Sequence, residues 1–119
     1  MPTHNHIDLI EFPAADPATL AAARAFYEDA FGWSFTDYGE YYDTADSGVV
    51  AGINGIADER QQRMPLTVIY VADLDAARAA VAASGGTIVH EIYGFPGGRR
   101  FHFADPAGNE LAVWSEAAS

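Results

Sequence analysis

Apolar and polar positions alternate along Ile7-Asp8-Leu9-Ile10-Glu11-Phe12 and again along Leu66-Thr67-Val68-Ile69-Tyr70-Val71. That is the two-residue period of strands whose two faces meet different surroundings. Each run gives way to an alanine-rich stretch with a period near four. In the first, Asp16 is a good N-cap and Pro17 a good first helical residue, Leu20, Ala23, Tyr27 and Ala30 fall on one stripe, and Gly32 supplies a left-handed stop. The spacing predicts a helix from Pro17 to Phe31. In the second, Asp73 caps, Leu74, Ala77 and Val81 share one face, and Gly85 ends the helix. Short alternating runs follow both helices, separated by turn signals at Tyr38-Gly39, Asp46-Ser47-Gly48, Phe95-Pro96-Gly97-Gly98 and Asp105-Pro106-Ala107-Gly108-Asn109.

The elements read as βαβββ twice, an α+β architecture. Arg24 and Arg78 occupy matching places in Ala-Ala-Arg-Ala, which marks the halves as an internal repeat. The expected organisation is one domain over residues 1–119, with modules at about 6–56 and 66–116. The polar, aperiodic segment containing Asp58-Glu59-Arg60-Gln61-Gln62-Arg63 reads as the linker between them.

Composition narrows the chemistry. A chain of 119 residues, half of them hydrophobic, is expected to build a single globular core. Its net charge is −11, and all six basic residues are arginine. A surface of that sign repels phosphate backbones and anionic bilayers, so neither nucleic acid nor membrane is an expected partner. Without lysine there is no Schiff-base side chain and no P-loop lysine. Without cysteine there is no disulfide, thiolate nucleophile or thiolate-held metal. Oxygen and imidazole chemistry, or binding alone, remain. The opening residues MPTHNHIDLI have neither the basic region nor the apolar run of a signal peptide, and a cytoplasmic protein is expected.

Several segments together resemble the vicinal oxygen chelate superfamily of glyoxalases, bleomycin-binding proteins and extradiol dioxygenases. They are Ile10-Glu11-Phe12-Pro13-Ala14, Ala25-Phe26-Tyr27 with Phe31-Gly32-Trp33, Val71-Ala72-Asp73-Leu74, and Asp105-Pro106-Ala107-Gly108-Asn109. The run Gly97-Gly98-Arg99-Arg100-Phe101-His102-Phe103 with Asn109-Glu110-Leu111-Ala112-Val113-Trp114 is similar to the small glyoxalase-like subgroup. The resemblance implies paired modules forming a curved mixed sheet around a cavity, helices on the outside, and a homodimer. It also implies a divalent metal in the catalytic members, held by inward side chains from four strands. Those places map here onto Leu9, Leu66, Ala112 and the stretch Val50-Ala51-Gly52-Ile53, none of which offers a donor. No metal at the family position, and no other cofactor, is therefore expected.

By strand parity, an enclosed site would be lined by Leu9, Glu11, Leu66, Tyr70, Arg100, His102, Glu110 and Ala112. Glu11 and His102 are the candidate catalytic groups, a carboxylate base and an imidazole that exchanges protons near neutral pH. Each has a plainer alternative, a solvated strand glutamate and a hydrogen-bonded strand histidine. Arg99 reads as a surface ion-pair former, Tyr41 and Tyr42 as one in and one out, and Trp33 and Trp114 as core. His4 and His6 share one side of a strand, but no third ligand accompanies them. The Asp-Pro-Ala-Gly-Asn run reads as a turn.

Three functions compete on these residues. The first is binding of a small organic molecule without chemistry, as in the bleomycin-resistance relatives. The second is an enzyme of lyase or isomerase type using Glu11 or His102 as acid or base. The third is a metal-dependent glyoxalase or dioxygenase with relocated ligands such as Glu11, His102 and Glu110.

Overall fold

A computed structural model describes residues 2–116. The chain divides into two compact units, Leu9–Leu66 and the pair Met1–Asp8 with Thr67–Ser119. The first contains β1 (His6–Pro13) from Leu9 onward, α1 (Pro17–Phe31), β2 (Thr36–Asp37), β3 (Tyr41–Thr44) and β4 (Ala51–Asn54). The second contains β5 (Leu66–Tyr70) from Thr67 onward, α2 (Leu74–Ala83), β6 (Thr87–Phe95), β7 (Gly98–Ala104) and β8 (Glu110–Glu116). Both are βαβββ modules, as the repeat predicts, and the α+β class holds.

Strand connectivity is the same in each. In the first unit β1 lies parallel to β4, β3 runs antiparallel to β4, and β2 antiparallel to β3. In the second β5 lies parallel to β8, β7 antiparallel to β8, and β6 antiparallel to β7. The first and last strands of each module are therefore parallel neighbours, and the strand after the helix sits at an edge.

Local chemistry explains both helices. Asp16 accepts from the Thr19 amide at 2.8 Å while the Thr19 hydroxyl accepts from the Asp16 amide at 3.1 Å, a reciprocal cap with Pro17 just inside it. Gly32, at φ 71°, ends the helix in the left-handed region and returns its N–H to the Glu28 carbonyl. Asp73 caps α2 through the Ala76 amide at 3.0 Å, and the helix runs from Leu74 to Ala83.

Each helix covers one face of its own sheet. Leu20, with Ala23 and Tyr27, packs on Ala14, Ile53, Phe35 and Tyr42, whereas Ala30, expected on the same stripe, is exposed. Leu74, Ala77 and Val81 pack on Val71, Phe101, Val113, Ile69, Ile88, Ile92 and Phe103. The repeated arginines fasten these layers. Arg24 reaches Asp37 on β2 at 3.5 Å and lies over the Tyr42 ring at 4.8 Å, and Arg78 grips Glu91 on β6 through two bonds of 2.7 Å. Arg99 pairs with Asp75 at the start of α2, the surface role its position predicts.

Phe101 is fully buried at the centre of the second core. Phe101→Ala is expected to cost about 3–5 kcal/mol, because transfer and cavity terms add where the surroundings cannot collapse. Guanidinium denaturation should show a lower midpoint at unchanged slope; a loss under about 1 kcal/mol would mean that this ring does not anchor the module.

Candidate functional site

With one sheet face taken by the helix, polar chemistry collects on the other. In the first unit Glu11, Gly52 and Asn54 share the face turned away from α1, since their neighbours Phe12 and Ile53 pack toward the helix. Glu11 is only 6% exposed. Its carboxyl group accepts from the Tyr41 hydroxyl at 3.0 Å and from the Asn54 amide nitrogen at 3.1 Å. The Asn54 orientation is fixed independently, because its side-chain oxygen accepts the Ile56 N–H at 2.9 Å.

Tyr41 reaches Glu11 by lying across Gly52. Tyr41 is on β3, Glu11 is on β1, and β4 runs between them. A Cβ on Gly52 would collide with the Tyr41 hydroxyl and ring, so the missing side chain is what opens the path. Tyr42 points the other way, into the helix-side cluster, completing the expected one-in, one-out pair.

In the second unit the corresponding face carries a longer network. Phe101 and Phe103 enter the core beneath α2, which turns Arg100 and His102 to the opposite side. His102 is 1% exposed, and its Nδ1 lies 2.9 Å from Glu110 Oε2. Its Nε2 lies 2.7 Å from the Tyr93 hydroxyl, whose oxygen also accepts from Arg100 Nε. Burial holds the His102 imidazole below its ordinary value; Arg100 and His90 push the same way, while the hydrogen bond and charge of Glu110 oppose them. A neutral ring satisfies every contact in one tautomer. Nδ1–H donates to Glu110, Nε2 accepts the Tyr93 proton, and the result is a chain Arg100→Tyr93→His102→Glu110.

His90 and Tyr93 belong to this face for a reason strict alternation hides. Along β6, Ile88 and Ile92 pack under α2, and an unbroken two-residue period would send His90 with them. The register instead shifts between Ile88 and His90 and again between His90 and Tyr93, so that His90 faces His102 and Tyr93 faces Arg100. The His90 and His102 rings meet edge-on with centroids 4.9 Å apart. His90 Nε2 lies 4.0 Å from Glu110 Oε2, and donor atoms of His90, His102 and Glu110 all fall within 4.8 Å of one another. Those residues are the one group among the described residues with metal-ligand spacing. Sequence reasoning missed His90 and Tyr93. The only signal would have been the polar histidine at an apolar position of β6.

The remaining expected residues are distributed as follows. Tyr70 packs edge-on against Trp114 at 5.1 Å and donates to Glu116 at 2.9 Å, and that carboxylate keeps its phenol proton on to higher pH than usual. Trp114 is half-buried rather than core, and donates to Asp8 at 3.1 Å; burial raises the Asp8 carboxyl above its ordinary value against that bond. Trp33, also half-buried, stacks on Tyr27 at 5.0 Å. Ala112 is buried between Val68 and His102 in register, and offers no donor. Leu9 and Leu66 are aliphatic members of the first unit, Leu66 buried. Glu11 and His102 thus each sit in a network of their own unit. His4 is used structurally, its Nδ1 accepting the Ala72 N–H at 3.0 Å. Asp105 accepts from the amides of Ala107 and Asn109 at 2.9 Å each, so the Asp-Pro-Ala-Gly-Asn run is a turn.

The sequence model of the Glyoxalase/Bleomycin resistance protein/Dioxygenase superfamily matches residues 6–113. A comparison with curated proteins finds no match. Among solved structures, a protein described as NAD-dependent benzaldehyde dehydrogenase from Legionella pneumophila is similar with a TM-score of 0.74 at 14% identity, over 91% of this chain and 97% of that one. Methylmalonyl-CoA epimerase from Mycobacterium tuberculosis gives 0.68 at 18% identity, over 99% and 93%. A glyoxalase/bleomycin resistance protein/dioxygenase superfamily member from Vibrio splendidus 12B01 gives 0.61 at 16% identity, over 91% and 97%. At such identities the likeness concerns the fold alone.

Gly52→Ala is expected to displace the Tyr41 hydroxyl from Glu11 and to destabilise the chain by about 1–3 kcal/mol, the cost of a lost hydrogen bond to a buried group. Tyr41→Phe removes the same bond. Because the bond is lost once, the double variant should cost less than the sum of the single ones in denaturant titrations. Strict additivity would show that Gly52 does not act through Tyr41.

Proposed function

The chain belongs to the Glyoxalase/Bleomycin resistance protein/Dioxygenase superfamily, and on that footing we propose that it binds a small organic molecule on the sheet face opposite α2. The observation that carries this reading is an aromatic wall holding a guanidinium group. Tyr70 and Phe95 flank Trp114 with ring centroids at 5.1 and 6.1 Å, and Arg100 lies over Phe95 and Tyr93 at 5.8 and 5.6 Å. All five side chains are partly exposed. Aromatic surface with a few fixed polar groups is the usual make-up of a small-molecule site. Flat rings stack on Trp114 and Tyr70, and a carboxylate or other oxyanion suits Arg100. The ligand class is therefore a flat or aromatic organic acid.

The family metal positions do not fit a metal. Leu9, Leu66 and Ala112 carry no lone pair to donate, and neither does any side chain of the stretch Val50-Ala51-Gly52-Ile53. No step of this reading passes through that group. A homodimer in the cytoplasm is part of the reading, and sedimentation of the purified chain tests the dimer.

A second reading is an enzyme of lyase or isomerase type. The chain from Arg100 through Tyr93 and His102 to Glu110 favours it, because a neutral imidazole oriented by a carboxylate accepts a proton passed by the tyrosine. Glu11 is not part of that chain.

Trp114 reports on binding directly once Trp33→Phe has removed the other tryptophan. Titration with a panel of aromatic carboxylates, aromatic amines and aliphatic acids should quench its fluorescence with the aromatic carboxylates. Arg100→Gln should weaken that binding by about tenfold or more, the worth of a charge-assisted hydrogen bond. Quenching by none of the panel, or equal affinity in the Arg100→Gln chain, overturns the reading. Turnover of a bound acid that is lost in Tyr93→Phe would move the enzyme reading to first place.

A further inference from the structure

We propose that His90, His102 and Glu110 form a binding site for one divalent transition-metal ion of the zinc class, distinct from the family position and carried entirely by the C-terminal βαβββ module. The donors come from three successive strands, β6, β7 and β8, brought into line by the register His90↔His102↔Ala112 and Ala104↔Glu110. Two imidazoles and one carboxylate with the fourth position open form a donor set that zinc uses. Paired imidazoles select against magnesium and calcium, which take oxygen ligands, and the lack of cysteine disfavours the softest ions.

The three donor atoms, within 4.8 Å of one another, must draw together to hold one ion. Metal–ligand bonds of about 2.0–2.1 Å in a tetrahedron place donors about 3.3 Å apart. Here Glu110 Oε2 lies 2.9 Å from His102 Nδ1 and 4.0 Å from His90 Nε2. Rotation of the half-exposed His90 ring toward both His102 and Glu110, with withdrawal of Glu110 from His102, brings the donors to that separation. His102 and its backing hold still, because the ring is buried and fixed at its far nitrogen.

That far nitrogen is the second, independent feature. A metal-bound histidine is oriented by the hydrogen bond that its other nitrogen donates. With the ion on Nδ1, the proton of neutral His102 sits on Nε2, which faces the Tyr93 oxygen at 2.7 Å, and Arg100 already holds that oxygen in place. The network therefore has two states. Without an ion, Nδ1–H donates to Glu110 and Tyr93 donates to Nε2; with an ion, Glu110 and Nδ1 turn their lone pairs to it, the ring proton is carried on Nε2 and donates to the Tyr93 oxygen, and the hydroxyl hydrogen of the partly exposed Tyr93 turns to solvent. Both oxygen partners that the ion-bound tautomer requires are thus in position.

Cobalt(II) serves as the probe, because its visible spectrum distinguishes a four-coordinate protein site from loose hydrated ion, and zinc competition reads the affinity. The 119-residue chain at moderate ionic strength should take up one cobalt per chain with an intense tetrahedral-type band that zinc displaces and magnesium does not. His90→Gln alters a half-exposed ring outside both cores and should weaken uptake by at least about 100-fold, and Tyr93→Phe, which removes only the outer partner, by about 10–100-fold. A His4→Gln/His6→Gln chain should bind as the parent does. Circular dichroism confirms that each variant is folded. Absence of stoichiometric cobalt on folded parent chain, full retention in His90→Gln, or loss in the His4→Gln/His6→Gln chain overturns the proposal.

Discussion

A single alanine-rich helix packs its apolar stripe on one face of its module's strands and leaves the polar networks to the other face, and the chemistry of this chain follows from that division. Because successive residues of a strand point to opposite sides, every apolar residue placed under a helix sends its neighbours to the opposite face. Phe101 and Phe103 beneath α2 turn Arg100 and His102 outward from that core, and Phe12 and Ile53 beneath α1 do the same for Glu11 and Gly52. The arginines repeated at the same place in each helix, Arg24 and Arg78, then tie each helix to an edge strand. Their contribution lies in orientation more than in energy, since exposed ion pairs add little.

Buried polar groups on the faces turned away from the helices are acceptable only because each has partners. Burying a carboxyl group or an imidazole without hydrogen bonds costs several kcal/mol, roughly the whole margin of a small domain. Glu11 is met by Tyr41 and Asn54, and His102 by Glu110 and Tyr93, and among the described residues no buried side-chain polar atom lacks a partner. The two solutions differ in kind. Around Glu11 an asparagine, a tyrosine and a glycine make a compact hold for one carboxyl group, with the side chain removed from β4 so that a tyrosine can cross it. Around His102 the partners are a tyrosine hydroxyl on one nitrogen and a carboxylate on the other, so both ring nitrogens are engaged. That difference is why the C-terminal module, and not the N-terminal one, carries the proposed chemistry.

Fold alone does not prescribe function. Leu9, Leu66 and Ala112, onto which the superfamily's ligand positions map by resemblance, offer no donor atom, while donor atoms of His90, His102 and Glu110 lie within 4.8 Å of one another. The aromatic wall of Tyr70, Trp114 and Phe95 lies on the same face of the same module, so a bound acid and an ion would share one surface. No helix among the described residues is long and apolar enough to cross a membrane.

Much of this architecture is legible in the amino-acid sequence. The caps Asp16 and Asp73, the stop at Gly32, the turn at Asp105 and the repeat of Arg24 and Arg78 act within a few residues of themselves, and short-range chemistry is what sequence spacing encodes. The family and the βαβββ order follow from those same local signals. Tyr41 crossing Gly52 to Glu11, by contrast, joins three strands through a side chain that is absent, and spacing cannot show a vacancy. His90 and Tyr93 are hidden for a related reason. Parity assigns a strand's faces only while pairing is unbroken, and the two shifts in β6 are settled by its register against β7 rather than by β6 itself. Local elements were thus determined by the sequence alone, whereas the partners of His102 were decided by tertiary pairing, because a one-residue slip between neighbouring strands moves a side chain from one face of the sheet to the other.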